Sequence, residues 1–458
     1  MICDLVIRNG LLITPHDTFA ADIGIEGERI AAIGQGLSGQ RVISARGLYV
    51  IPGAIDGHVH LTDPDYAPLY PPNADSFAVG SRAAAFGGVT SLIDFAAPKA
   101  GLNLVETLER RRQQADGQVV TDYALHLTLR DTDPQRLKEL PGIFERGVTS
   151  IKMFMAYEGY QLNDVTIFRA MEIVAARRGL AVLHAENFDI IRELRRRTPA
   201  GKTGLEWHLA TSPAVTEGEA VHRAIAFAGQ TGARLLLYHQ SCQEGVHEIR
   251  LAKARGQTVY GEACVAYLVY TSDDYARTPE RGHTILVGPP IREAHHQAAL
   301  WQGLADGTLD IVSSDHGPRS RQPGQTGAGV SSIETRVALV HHFGVRTGRL
   351  SPSRWVEVCC TNPAKIFGLP RKGQLLPGYD ADLVLFDPAK TVTFTAESLH
   401  SAIDYCSYDG LTVTGYPVVT VSRGEVIVEE GHFVGRPGRG RFIPRGAESA
   451  KDHLHATT

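Results

Sequence analysis

Gly147-Val148-Thr149-Ser150-Ile151-Lys152-Met153-Phe154-Met155-Ala156-Tyr157 reads as a short buried strand that carries a single cation. An apolar interior does not tolerate an unpaired ammonium. His58-Val59-His60 lies upstream, and His184, His239 and Asp315 follow downstream, each at the end of a similar apolar run. Four histidines and a carboxylate make a metal site. A lysine amine with a pKa near ~10.4 is a poor ligand for it. Capped by carbon dioxide, the same lysine becomes an anionic carbamate whose two oxygens can bridge two metals. One lysine among these ligands points to a binuclear hydrolase.

Outward from this strand, continuous apolar runs recur at 90–95, 123–129, 150–156, 180–186, 233–240, 257–264 and 309–315, with helical stretches between them. The run that ends at His60 makes eight. Unbroken hydrophobic strands are buried on both faces, as in a parallel sheet. Eight strand–helix units predict an α/β fold, a (β/α)8 TIM-like barrel over 53–369, in which functional groups sit at the C-terminal ends of the strands. His58, His60, Lys152, His184, His239 and Asp315 fall at such ends, which a chance scatter of histidines would not do. Residues 1–52 alternate like half-exposed strands separated by Gly and Asn turn signals, and the same pattern returns over 370–434. Together they predict a small β-sandwich domain built from both chain ends. Residues 435–458, rich in Gly, Arg and Pro, predict an arm or tail outside the core.

A net charge of −4 excludes the basic face that nucleic-acid binding needs. No apolar run is long enough to span a membrane, and the N-terminus carries no secretory signal. Six cysteines (Cys3, Cys242, Cys264, Cys359, Cys360, Cys406) form no CxxC and no framework spacing, which predicts reduced thiols in a cytoplasmic protein. His58 and His60 lie two residues apart on a strand and so share one face, and imidazole suits zinc and its neighbours. Taken singly, Lys152 could be a snorkelling surface lysine, His184 or His239 a core histidine, and Asp315 a helix N-cap. Those readings do not hold for all the positions at once. The pairs His295-His296 and His341-His342, the basic run from Arg192 to Lys202, and Trp207, Trp301 and Trp355 read as structural.

Several motifs resemble the cyclic amidohydrolases, especially the hydantoinase/dihydropyrimidinase branch. They are PG-x-ID-x-HVHL at 52–61, AAAFGGVTSLIDF at 83–95, S-x-K-x-FMAY at 150–157, HAEN at 184–187, GPPIRE at 288–293, SSDH at 313–316, the long run at 362–388 and VGRPGRGRFIPR at 434–445. The resemblance implies two divalent metal ions, with zinc expected. It assigns His58, His60 and Asp315 to one, His184 and His239 to the other, and N-carboxylated Lys152 to both. It implies that Asp315 shuttles the proton and that Tyr157 hydrogen-bonds the developing oxyanion. Positions 288 and 328 contribute backbone groups to the cyclic amide. This chain has Gly288 where the family usually has Ser, and Ala328 where it often has Asn. From position, Phe154, Tyr160 and Leu162 are candidates for an apolar wall, and 65–72 for a lid. The resemblance also implies a homotetramer acting on a small cyclic amide. Allantoinase is the nearest rival. Dihydroorotase is disfavoured because Thr62 stands where its HxHLR arginine would be. A metal-free scaffold is disfavoured because all six ligand positions are kept.

Overall fold

The computed structural model describes residues 2–62, 73–99, 101–130, 133–199, 205–277, 282–319 and 329–446. Ala328 and the stretch 65–72 lie outside the described residues.

Five strands open the chain: β1 (Ile2–Ile13), β2 (Thr18–Glu26), β3 (Arg29–Gly34), β4 (Ser38–Ser44) and β5 (Tyr49–Pro52). Eight more follow: β6 (Ala54–Asp56), β7 (Val89–Ala96), β8 (Asp122–Thr128), β9 (Ser150–Phe154), β10 (Leu180–His184), β11 (Arg234–Leu237), β12 (Val259–Cys264) and β13 (Ile311–Ser313). These eight form one sheet in sequence order, each parallel to the next. Their residues are almost all buried, as expected of strands covered on both faces. Helices such as Phe77–Phe86, Leu104–Ala115 and Asp164–Ala176 alternate with them. Each starts at a residue able to cap it: Ser76, Asn103 and Asn163 accept a hydrogen bond from a first-turn N–H.

The first and last barrel strands meet without a regular ladder. Val59 and His316 form a single parallel bridge, with the His60 N–H donating to the His316 carbonyl at 2.7 Å. Side chains complete the seam. The Ser314 N–H donates to Asp56 Oδ1 at 3.1 Å, and the buried Arg336 guanidinium donates to the carbonyls of Val312 (2.6 Å) and Ile55 (3.1 Å). The same guanidinium pairs with Asp56 at 3.3 Å.

After the barrel come β14 (Leu383–Thr393), β15 (Thr412–Ser422), β16 (Glu425–Glu429) and β17 (His432–Phe433). They join the opening strands in one nine-stranded sheet, with β14 antiparallel to β5. One edge of β1 is shared by β4 along its first half and by β5 near its end, both parallel. The sheet therefore divides at β1 and folds around its own core of Leu5, Ile7, Ile23, Ile25, Leu383, Leu385 and Val421. This is the small domain made from both chain ends.

The composition of the segment after β17 predicts a place outside the core, and the structure differs. Up to Gly446 the segment crosses the N-terminal end of the barrel. The Tyr123 N–H donates to the Arg441 carbonyl at 2.9 Å, the Ile443 N–H to the Tyr123 carbonyl at 2.7 Å, and the Arg445 N–H to the Gly147 carbonyl at 2.8 Å. Arg445 is 1% exposed, and its guanidinium donates to the carbonyls of Leu125 and Phe367. The composition that looks disordered has a packing use. Gly438 and Gly440 lie so close to the backbone of Gly117 and Thr121 that a Cβ would collide, and Arg445 supplies donors for buried backbone carbonyls.

Candidate metal centre

The predicted ligands come from five different barrel strands and converge inside the mouth. His58 and His60 follow β6, Lys152 is the middle residue of β9, His184 ends β10, and His239 and Asp315 lie two residues beyond β11 and β13. Asp315 Oδ1 stands 3.2 Å from His58 Nε2 and 3.3 Å from His60 Nε2. His184 Nδ1 and His239 Nε2 stand 2.8 Å apart. Lys152 is 1% exposed. Its Nζ has no hydrogen-bond partner among the described residues, and it faces the rings of Tyr238 (4.3 Å to the centroid) and Phe154 (4.8 Å).

Two carboxylates fix which imidazole nitrogens keep a lone pair for the centre. Glu262 Oε2 accepts from His58 Nδ1 at 3.0 Å and from the His239 N–H at 2.9 Å. His58 therefore keeps its lone pair on Nε2, towards Asp315. Glu186 Oε2 accepts from His184 Nε2 at 2.6 Å, which leaves the Nδ1 lone pair of His184 towards His239. Each lone pair thus faces a second group with ligand chemistry, where a shared proton or a cation can sit. Burial pushes the imidazoles of His58 and His239 far below the usual histidine range, so both are neutral and able to act as ligands. Burial alone would raise the Asp315 carboxyl, but His58 and His60 outweigh it and hold it below the usual carboxylate range. Burial also pushes the Lys152 amine well below the usual lysine range, against the pull of Glu262 and Asp315. These residues fit divalent cations: neutral imidazoles, an ionised carboxylate and an amine that no fixed partner occupies. A separate acidic group, Asp122, Asp380 and Asp382, is different, because the Lys372 ammonium already sits among its oxygens at 2.7–3.0 Å.

Backbone strain clusters here. Tyr157 (φ 75°), His239 (φ 39°), Asp315 (φ 50°) and Thr62 (φ 44°) are non-glycine residues in the left-handed region, and the first three lie two or three residues beyond a barrel strand. Such conformations cost about 1–3 kcal/mol each and collect at functional sites. The Tyr157 ring lies 4.6 Å from that of His184 and 6.2 Å from that of Phe154, and Tyr160 lies 5.3 Å from Phe154. Gly288 borders the Tyr157 hydroxyl. The structure thus brings Tyr157, Phe154, Tyr160 and Gly288 to one side of the centre. Leu162 is buried, and its N–H donates to the Phe154 carbonyl at 2.9 Å.

Three residues to which the sequence reading assigns no role join the site: Glu262, Tyr238 and Glu186, the last of them inside the HAEN motif. Glu262 and Glu186 carry the same signal as Lys152, a charged residue within or directly after an apolar strand. Tyr238 looks like any core aromatic. It stacks on His58 at 4.1 Å, and its hydroxyl donates to the Gly57 carbonyl at 2.7 Å.

The amidohydrolase family model matches residues 49–427. A D-hydantoinase of Streptomyces coelicolor is 39% identical over 96% of this chain and 97% of its own length. A second D-hydantoinase, from Geobacillus stearothermophilus, is 37% identical over 97% of each. The crystal structure of a dihydropyrimidinase from Brevibacillus agri superposes with a TM-score of 0.92 at 37% identity, covering 96% of this chain and 98% of that one. With this barrel, the mouth it builds and similarity along nearly its whole length, the chain belongs to the amidohydrolase family, in its hydantoinase/dihydropyrimidinase branch.

Proposed function

We propose that the protein hydrolyses the cyclic amide C–N bond of hydantoins or dihydropyrimidines to give N-carbamoyl amino acids, at two divalent cations, expected to be zinc. His58, His60 and Asp315 would hold one, His184 and His239 the other, and carboxylated Lys152 both. The observation that carries this reading is the buried Lys152 amine, without a hydrogen-bond partner among the described residues, set among five residues with ligand chemistry. An amine whose ammonium form is disfavoured by burial has a free lone pair with which to attack carbon dioxide.

Bound there, the cations would supply Lewis acidity and lower the pKa of water from ~15.7 towards ~7. The chain's own groups do the rest. Asp315, ionised and next to both imidazoles of the HxH pair, takes the proton of the attacking water and passes it to the ring nitrogen as the C–N bond breaks. The Tyr157 hydroxyl donates to the carbonyl oxygen as charge grows there, a contribution on the order of ~3 kcal/mol for one good donor. Backbone groups at Gly288 and Ala328 orient the ring's amide edge, and Phe154 and Tyr160 line the space for its substituent. The same reading makes the protein a cytoplasmic homotetramer. No described helix is long and apolar enough to cross a membrane.

Metal analysis of the purified protein should give about two cations per chain, and Lys152→Ala should lose both the metal pair and nearly all turnover on a panel of dihydrouracil, hydantoin and 5-substituted hydantoins. A Lys152→Ala protein with normal metal content and turnover would contradict the reading. Turnover of allantoin alone would move the chain to that rival activity.

A further inference from the structure

Gly288 has no conformational reason to be glycine, because its φ lies outside the left-handed region. What it lacks is space. A Cβ built there would overlap the Tyr157 hydroxyl oxygen and stand 3.2 Å from Tyr157 Cζ.

One of the two surfaces must yield when a Cβ is added, and the structure decides which. The wall around 288 is pinned along its length. His208 donates to the Val287 carbonyl at 2.7 Å. The Tyr267 hydroxyl donates to the Pro289 carbonyl at 2.8 Å, and the Ile291 N–H to the Tyr275 hydroxyl at 2.9 Å. Arg292, 3% exposed, donates to the Ser212 carbonyl, Ser241 Oγ and Glu217 at 2.8–3.0 Å. On the other side the Tyr157 backbone is fixed by a tight turn, with the N–H groups of Tyr160 and Gln161 donating to its carbonyl at 3.1 and 2.9 Å. The overlap falls on the hydroxyl, the far end of a side chain that can rotate.

We infer that Gly288 is a positioning residue: by carrying no side chain it lets the Tyr157 hydroxyl settle against the 287–292 wall, and so sets where that hydroxyl meets the substrate carbonyl. The inference rests on the oxyanion role proposed for Tyr157. Its consequence is that a substitution at 288 acts on turnover through Tyr157, not on folding.

A double-mutant cycle on the metal-loaded protein tests it. Tyr157→Phe should lower kcat by about 100-fold or more, and Gly288→Ala by about tenfold or more, with metal content and Tm near those of the parent. In the Tyr157→Phe background, Gly288→Ala should change kcat less than about threefold, since the two act as a unit. Equal fold-losses in both backgrounds would overturn the inference. A crystal structure of Gly288→Ala tests the placement independently of catalysis. A displaced Tyr157 hydroxyl over an unmoved 287–292 backbone supports it, and an unmoved hydroxyl over a shifted backbone overturns it. If Tyr157→Phe alone leaves kcat unchanged, the oxyanion role fails, and with it the catalytic half of the inference, while the crystal structure still decides the placement.

Discussion

Glu262 is the clearest case of one side chain setting the state of its neighbours. From inside β12 it accepts from the ring of one candidate ligand and from the backbone of another. A histidine ligand whose second nitrogen donates to a carboxylate is oriented and made more basic, and losing that carboxylate typically weakens metal affinity about 10–100-fold. Glu262→Gln should therefore weaken metal retention by about that factor in a titration with a competing chelator. Retention equal to the parent's would show that the hydrogen bond does not matter to the cation. Five of the six candidate ligand positions are legible in the sequence because each places an imidazole or carboxyl group at or just past the end of an apolar run, and Lys152 is legible as the one cation inside such a run. Glu262 is equally legible on that criterion, but the partner that gives it meaning lies 204 positions away. Gly288 is legible only as a departure from the family. Its relation to Tyr157 is a matter of distance between two loops, which no spacing encodes.

The barrel strands can be placed to within a few residues because parallel strands buried on both faces leave unbroken apolar runs. The ends of those runs overshoot the hydrogen-bonded strands: the run 233–240 contains β11 only at Arg234–Leu237, and its last residues turn inward to the site. β4 and β5 give no clear signal, since β4 is largely exposed and β5 has four residues. The stretch around His341-His342 reads as structural, and its packing has a measurable effect. The His341 ring packs against those of Trp355 (5.1 Å) and Phe386 (4.7 Å), and its Nδ1 stands 3.2 Å from the Thr414 carbonyl oxygen. Burial pushes its imidazole down to about 4. As pH falls from about 6.5 towards 4, the unfolded chain takes up a proton here that the folded chain does not, so stability is lost across that window, by on the order of 2–3 kcal/mol at its lower end. Chemical unfolding of His341→Gln should show a shallower loss between those pH values than the parent. Parallel profiles would mean that His341 does not drive the acid sensitivity.

The whole molecule is stitched together by charge as well as by apolar burial. Lys372 and Arg423 both pair with Asp122 at the start of β8, and through Asp382, Asp380 and Glu28 they tie the terminal sheet to the barrel. Arg445 closes the opposite end from the candidate centre. Neither arrangement can be read from local sequence, because each joins residues hundreds of positions apart. The irregular meeting of β6 and β13 has a consequence of its own. His58 and His60 leave one lip of that gap and Asp315 leaves the other, so a cation gripped by all three would act as a clasp across the weakest hoop of the barrel. Stripping it should let the two lips breathe. Amide hydrogen exchange at His60 and Ser314 should quicken markedly in chelator-treated protein while amides within β8–β10 stay slow. Unchanged exchange at those two amides would mean that the gap holds shut without help.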